Sequence, residues 1–322
     1  MDFDWTMALG SFLVAIVVGL TGMGGGALMT PMLVTFFGVS PLAAVSSDLV
    51  AAAVMKPVGS AVHYRQGTIN MRLVGWLCAG SVPAAFSGVL LARALGHGSG
   101  VEDLISKAMG VALLIAAGGL VVRGLLSRRD RDRPGAADGE APEIRVRPLP
   151  TVLIGLVGGL VVGITSVGSG SLIIVALLAL YPALKANQLV GTDLLQAVPL
   201  VFAAAIGHLL FGDFQMQVTA ALLVGSIPGV YLGSKISSRA PGGLIRRVLA
   251  LVLVASALKM FGVGAVPIAW TLTVLAAGTV AFWLAGRRRA NRTAAVPAGD
   301  EAADGAPSAR TPAAASADEY AA

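Results

Sequence analysis

Nine apolar segments divide the chain, at 6–37, 42–64, 71–95, 104–126, 150–181, 187–211, 215–236, 244–262 and 266–286. A membrane-spanning helix needs about 20 apolar residues, and most of the segments have that length. Segments 6–37 and 150–181 are longer, and each is interrupted midway by a glycine-rich run. The runs read Gly22-Met23-Gly24-Gly25-Gly26 and Gly168-Ser169-Gly170. One span does not need that length, whereas two shorter helices meeting at a glycine bend do. The segments at 71–95 and 215–236 carry Gly80-Ser81-Val82-Pro83 and Gly225-Ser226-Ile227-Pro228, which predict kinks, because proline removes a helical hydrogen bond.

The pattern occurs twice. Gly19 through Gly26 recurs as Gly163 through Gly170, an offset of 144. Asp48, His63, Gly67, Gly80, Pro83 and Gly88 recur as Asp193, His208, Gly212, Gly225, Pro228 and Gly233, an offset of 145. One inserted residue therefore accounts for the register. Glycine-broken membrane segments at matching places in two repeats are a sequence mark of secondary transporters, whose substrate binds where the repeats meet.

Composition sharpens the membrane reading. The chain is 56% hydrophobic and 12% charged, with a net charge of +6, against about 25% charged residues in soluble domains. The basic residues lie in short clusters between apolar runs, so no basic face exists for nucleic acid. Cys78 is the only cysteine and forms no intrachain disulfide. The N-terminus lacks the basic region of a signal peptide, so the first apolar run is expected to belong to the mature protein.

Lysine and arginine concentrate on the cytoplasmic side of membrane proteins. The clusters are Arg65/Arg72, Arg123 to Arg147, Lys235 to Arg247 and Arg287 to Arg292. They share one side only if the two glycine-broken segments are re-entrant. Each half then makes three crossings, an odd number, and the halves are inverted. The expected fold is an all-α polytopic membrane protein of two inverted repeats, each with a re-entrant first segment and three transmembrane helices, plus one extra C-terminal helix. Its expected parts are repeat 1 (6–126), a cytoplasmic linker (127–149), repeat 2 (150–262), an additional transmembrane helix (263–286) and a disordered cytoplasmic tail (287–322). A multi-pass protein of the cell membrane follows, with the bilayer as its surroundings.

The glycine runs are the first candidates for chemistry. A glycine bend opening a helix presents unpaired N–H groups and the positive end of the helix dipole, which suit an anion. Gly22, Gly24, Gly25, Gly26, Gly168 and Gly170 allow close backbone approach. Thr21, Thr30, Thr165, Ser166, Ser169 and Ser171 offer hydroxyls. Tight helix packing by small residues is the competing explanation. Asp48 and Asp193 lie inside apolar helices, where an acid is costly and usually functional; capping, or bonding to Ser47 or Thr192, is the alternative. Lys56 has no counterpart in the second half and either faces an anion or extends to the cytoplasmic interface. His63 and His208 lie 15 residues beyond the aspartates, about 22 Å along a helix, which points to interfacial positions. Asp48, Lys56, His63, Thr192, Asp193 and His208 are thus candidates for gating or coupling. No phosphate-binding loop, metal-ligand cluster or nucleophile–base pair is present in the sequence, so no cofactor, metal or catalytic residue is expected.

The combined motifs resemble the TauE/SafE, or sulfite exporter, family from about residue 10 to residue 262. They comprise Gly22-x-Gly24-Gly25-Gly26 followed by Pro31, then Asp48, Lys56, Gly59, His63, Gly67, Gly80-x-x-Pro83 and Gly88. The second half adds Gly191-Thr192-Asp193-Leu194, Gly225 and Gly233. The second glycine run departs from the pattern, with a serine at its centre and no following proline. The resemblance implies a membrane transporter, not an enzyme, exporting a small anion such as sulfite or an organosulfonate like sulfoacetate. A channel-like anion pathway and a non-transporting assembly or regulatory partner are the alternatives. Association of several copies is left open. Topology is directly testable: in a Cys78→Ser background, cysteines at Asp138 and Ser40 are expected to label from opposite sides of the membrane.

Overall fold

The computed structural model describes residues 4–21, 25–65, 69–96, 98–131, 145–182, 184, 186–237, 242–275 and 277–278. Gly22, Gly24, the side chain of His63, most of the linker, 279–286 and the tail lie outside the described residues. Among the described residues every regular element is a helix. They are α1 (Trp5–Thr21), α2 (Gly26–Phe36), α3 (Pro41–Arg65), α4 (Met71–Ala94) and α5 (Ser99–Arg131), then α6 (Pro148–Thr165), α7 (Leu172–Leu180), α8 (Ala186–Phe211), α9 (Met216–Ser237) and α10 (Gly242–Met260). A short apolar helix, α11, covers Ala265–Leu275.

Each overlong apolar segment is two helices, separated at its glycine run. α1 starts at a sequence-encoded cap, where Asp4 Oδ1 accepts the Met7 N–H at 2.9 Å. The Thr6 hydroxyl, with that cap, holds the Asp4 carboxyl below its ordinary value. α2 then turns back along α1, bringing Met32 and Phe37 against Gly10. In the second half Tyr181, at the end of α7, returns to the start of α6. Its hydroxyl lies 2.6 Å from Thr151 Oγ1 and accepts the Arg147 N–H at 2.8 Å.

Helices α4 and α9 continue through Pro83 and Pro228 without interruption. α5 runs to Arg131, past the end of its apolar stretch. Charged residues that are good helix formers can extend a helix into water.

The packing interleaves the two halves. α6 lies along α4, and its Gly155, Gly159 and Gly163 face Leu77, Ser81 and Ala85 in turn. α9 lies along α1, and its Gly225, Gly229 and Gly233 face Ala8, Phe12 and Ile16. A Cβ on Gly159 would stand 2.3 Å from the Ser81 carbonyl oxygen, and one on Gly225 2.0 Å from that of Ala8. Glycine every fourth residue removes the side chains that hold two helices apart, and close van der Waals packing follows. Both seams run parallel and both join one half to the other.

The remaining central pair, α3 and α8, runs antiparallel: Ser46 meets His208, while Asn70, just past α3, meets Thr192. Leu49, Leu77, Leu113, Ile173 and Leu200 form the buried core between these helices. Leu153, Ile206, Leu210 and Val224 face outward and are at least half exposed. α4, α6 and α9, with 99–122 of α5 and 191–211 of α8, are long and apolar enough to cross a bilayer. An apolar rim around a close-packed centre suits lipid as the surrounding solvent.

The seams generate a prediction. Gly159→Leu drives a side chain into the α4 backbone and is expected to cost about 3 kcal/mol, the upper end for overpacking. Gly118→Leu, at an exposed site with nothing within 4 Å, is expected to be neutral. Thermal midpoints of the purified proteins in detergent check both.

Candidate functional site

The two helix breaks meet in the core beside α3. A Cβ on Gly26 would lie 2.1 Å from the Ser166 carbonyl oxygen, so the start of α2 rests directly on the second break. Only glycine permits that approach. The second break is shaped by left-handed backbone at Ser166 (φ 57°), Gly168 (φ 121°) and Gly170 (φ 107°). The two glycines tolerate this geometry without a Cβ penalty, whereas Ser166 is held there by its contacts.

Those contacts run through Asp48. Its Oδ2 accepts the Thr30 hydroxyl at 2.9 Å and the Ser166 hydroxyl at 2.6 Å. One carboxylate on α3 therefore ties α2 of the first half to the break of the second. Eight residues further along α3, Lys56 is buried, and its Nζ donates to Ser169 Oγ. The second break thus lies along α3 between an acid and a base. Lys56 also interacts electrostatically with both Asp193 and Asp48. Its ammonium is directed into the protein, toward Ser169.

The other candidates separate into groups. Gly25 precedes α2, and a Cβ there would meet Met29 and Met55 at 3.6 Å, ordinary contact distance. Ser171 precedes α7 without a side-chain capping bond. Thr165 directs its hydroxyl to the Val161 and Val167 carbonyl oxygens, at 2.7 and 3.2 Å. Thr192 Oγ1 accepts the Asn70 N–H at 3.1 Å, beside the cap of α4. Asp193 is buried and receives the Gln196 side-chain amide at 3.3 Å.

His208 lies in the last turn of α8 but does not face outward. It is fully buried, with Nδ1 2.8 Å from Ser46 Oγ and Nε2 2.9 Å from the Gly163 carbonyl oxygen. The antiparallel crossing of α3 and α8 brings the far end of α8 to the Asp48 end of α3. Distance along one helix could not reveal this. Gln196 and Ser81, joined at 3.1 Å in the core, were not singled out by the sequence. Their only signal was a polar pair within two apolar segments.

Comparison with known proteins places the chain in a family. The family model described as Sulfite exporter TauE/SafE matches residues 7–260, which include both helix breaks, both buried aspartates and Lys56. The chain belongs to the TauE/SafE family of membrane transporter proteins. Among its relatives, the Probable membrane transporter protein YjnA of Bacillus subtilis (strain 168) is 41% identical over 249 residues, 77% of this chain and 95% of the relative. The Probable membrane transporter protein YdhB of the same organism is 24% identical over 245 residues, 74% of this chain and 93% of the relative. A Probable membrane transporter protein of Xylella fastidiosa (strain Temecula1 / ATCC 700964) is 28% identical over 252 residues, 76% and 90% of the two chains. No solved structure matches the chain. A TauE/SafE protein with this many apolar helices is a multi-pass membrane protein.

The Asp48 bridge is expected to hold the breaks together. Thr30→Ala removes one hydrogen bond to a buried carboxylate and is expected to cost about 1.5–3 kcal/mol. Thr273→Ala, which removes an exposed hydroxyl from α11, serves as the neutral control. Chemical denaturation in mild detergent distinguishes the two.

Proposed function

We propose that the protein is a secondary transporter that exports a small anion, sulfite or an organosulfonate such as sulfoacetate, through a site between its two repeats. The observation that carries this reading is Lys56. A lysine of the first half, buried in an apolar core, reaches Ser169 in the glycine-broken turn of the second half. A cation buried in a membrane protein is costly and commonly marks a substrate or ion path, and this one stands beside the opening of α7. There the helix dipole and the first N–H groups favour negative charge. An ammonium, a helix start and serine hydroxyls together match an oxyanion's charge and its need for hydrogen-bond donors. The printed description of the matching family names sulfite export, and its relatives are named as membrane transporters.

In this reading the two repeats are inserted in opposite orientation. α1–α2 and α6–α7 are re-entrant hairpins entering from opposite faces. The return of Phe37 toward Gly10, the return of Tyr181 toward Thr151, and the antiparallel run of α3 and α8 support it. The linker and the C-terminal tail are cytoplasmic, and the bilayer is the cell membrane. Rocking of one seam-joined pair against the rest alternates access. An inside-negative potential favours outward movement of an anion, worth about 2.3 kcal/mol per charge at 100 mV.

The test is flux in proteoliposomes loaded with sulfite, under an inside-negative potential, with chloride, sulfate and sulfoacetate as competitors. Saturable efflux is expected, weakened by a competing substrate. Lys56→Met is expected to lower it at least about tenfold, the worth of one hydrogen bond to a charged group, while the variant still elutes as a folded protein. Fast flux without saturation would indicate a channel, and no flux of any of these anions would overturn the reading.

A further inference from the structure

The two halves differ at their aspartates. In the second half a closed chain joins α4 to α8. Ser81 Oγ donates to Gln196 Oε1 at 3.1 Å, and Gln196 Nε2 donates to Asp193 Oδ1 at 3.3 Å. The offset of 145 maps these residues onto Ser226, Ala51 and Asp48. Alanine has no amide to bridge the other two. Ser226 Oγ and Asp48 Oδ1 are indeed the buried side-chain polar atoms left without a hydrogen-bond partner among the described residues. Both residues are fully buried. Two orphaned groups where the repeat places a donor–acceptor bridge point to one missing bridge.

The neighbouring helices correspond in the two halves. α9 lies beside α3 as α4 lies beside α8, and Thr219 Oγ1 lies 3.5 Å from the Ser47 carbonyl oxygen. The apolar cluster around Ala51 includes Met29 and Met55, where the second half has Ile173 and Leu200. Unbranched thioethers shift aside more easily than branched chains.

Charge indicates what fills the gap. The buried ionisable groups among the described residues are Asp48, Lys56, Asp193 and His208. Lys56 is one cation acting on both carboxylates. His208 bonds Ser46 and Gly163, with Asp213 as its charged neighbour. From the elements packed around it Asp48 faces Thr30 on α2, Ser166 in the second break and Lys56 on its own helix, while His208 bonds Ser46 two residues away. With both carboxylates and Lys56 charged, the centre carries one excess negative charge, which a membrane interior penalises and which repels an anionic substrate.

We infer that the gap left by Ala51 between Asp48 and Ser226 binds one monovalent cation, a proton or a sodium ion. A proton on Asp48 Oδ1 would be donated to Ser226 Oγ; a sodium ion would take both oxygens as ligands. Either cancels the excess charge. On the transport reading above, cation and anion then raise each other's affinity by the same factor. A dianion carried with one cation still moves a net negative charge.

The test uses the purified full chain in detergent and needs no transport. Its thermal midpoint is followed across a sodium series balanced with choline, and across a pH series without sodium. A saturable rise with sodium identifies sodium; a rise on acidification alone identifies a proton. Ala51→Gln restores the bridge and is expected to abolish the response, as is Asp48→Asn. Ser226→Ala is expected to raise half-saturation about tenfold, the cost of one ligand contact. Gln196→Ala opens the matching gap in the second half and is expected to enlarge the response. If Ala51→Gln fails to fold, Ser226→Ala and Gln196→Ala decide the matter. The same response in wild type and in these variants would overturn the site. A cation response that sulfite does not shift would keep the site and count against the transport reading.

Discussion

A backbone broken inside a membrane core must have its polar groups satisfied by protein, because lipid offers nothing. This chain breaks its helices twice in its apolar interior, and the rest of the architecture answers that cost. Asp48 is the centre of the answer. By accepting from Thr30 and Ser166, it converts two separate weak points into one jointly held structure. Ser166 sits in left-handed backbone, a conformation that persists only when surroundings impose it. The acid that imposes it belongs to the other half of the molecule.

The glycine seams serve the same end at longer range. Two helices can approach to backbone contact only where side chains are absent, and Gly155, Gly159 and Gly163 supply that on one side of the molecule. Gly225, Gly229 and Gly233 supply it on the other. Dense contact there fixes the outer helices, so that α3 and α8 can carry acids, a lysine and a histidine in the core. Rigid seams and a polar centre divide the labour of packing and chemistry. The glycines of this chain therefore act in two ways: those at 168 and 170 through their backbone angles, those of the seams through the volume they leave empty.

Much of this was legible in the sequence. The excess length of 6–37 and 150–181, with glycines at mid-segment, announced that each was two helices. The duplication announced equivalent pairs. What could not be read was which equivalent side met which. The Thr30 and Ser166 contacts of Asp48 join elements far apart in sequence, and the meeting of Ser46 with His208 follows from α3 and α8 crossing in opposite senses. A one-dimensional spacing of 15 residues separates His208 from Asp193 on its own helix, and says nothing about its approach to a second helix. Gln196 escaped notice for a related reason. Its repeat counterpart is Ala51, so a search for shared residues passes over it, although the difference itself carries the information.

The seams also bear on how the protein is made. Ala8, near the start of the chain, finds its packing partner at Gly225, and synthesis must cover more than 200 further residues before that partner exists. A ribosome adding about 5–20 residues per second leaves α1 waiting for about ten seconds or more. During that interval the face it will set against the glycines of α9, a helix not yet translated, meets only lipid or the insertion machinery. The fold therefore cannot close as the first half emerges. Its nascent chain is obliged to stay open until α9 arrives, and a chain stalled before that point carries an unmated surface for quality-control proteases to recognise.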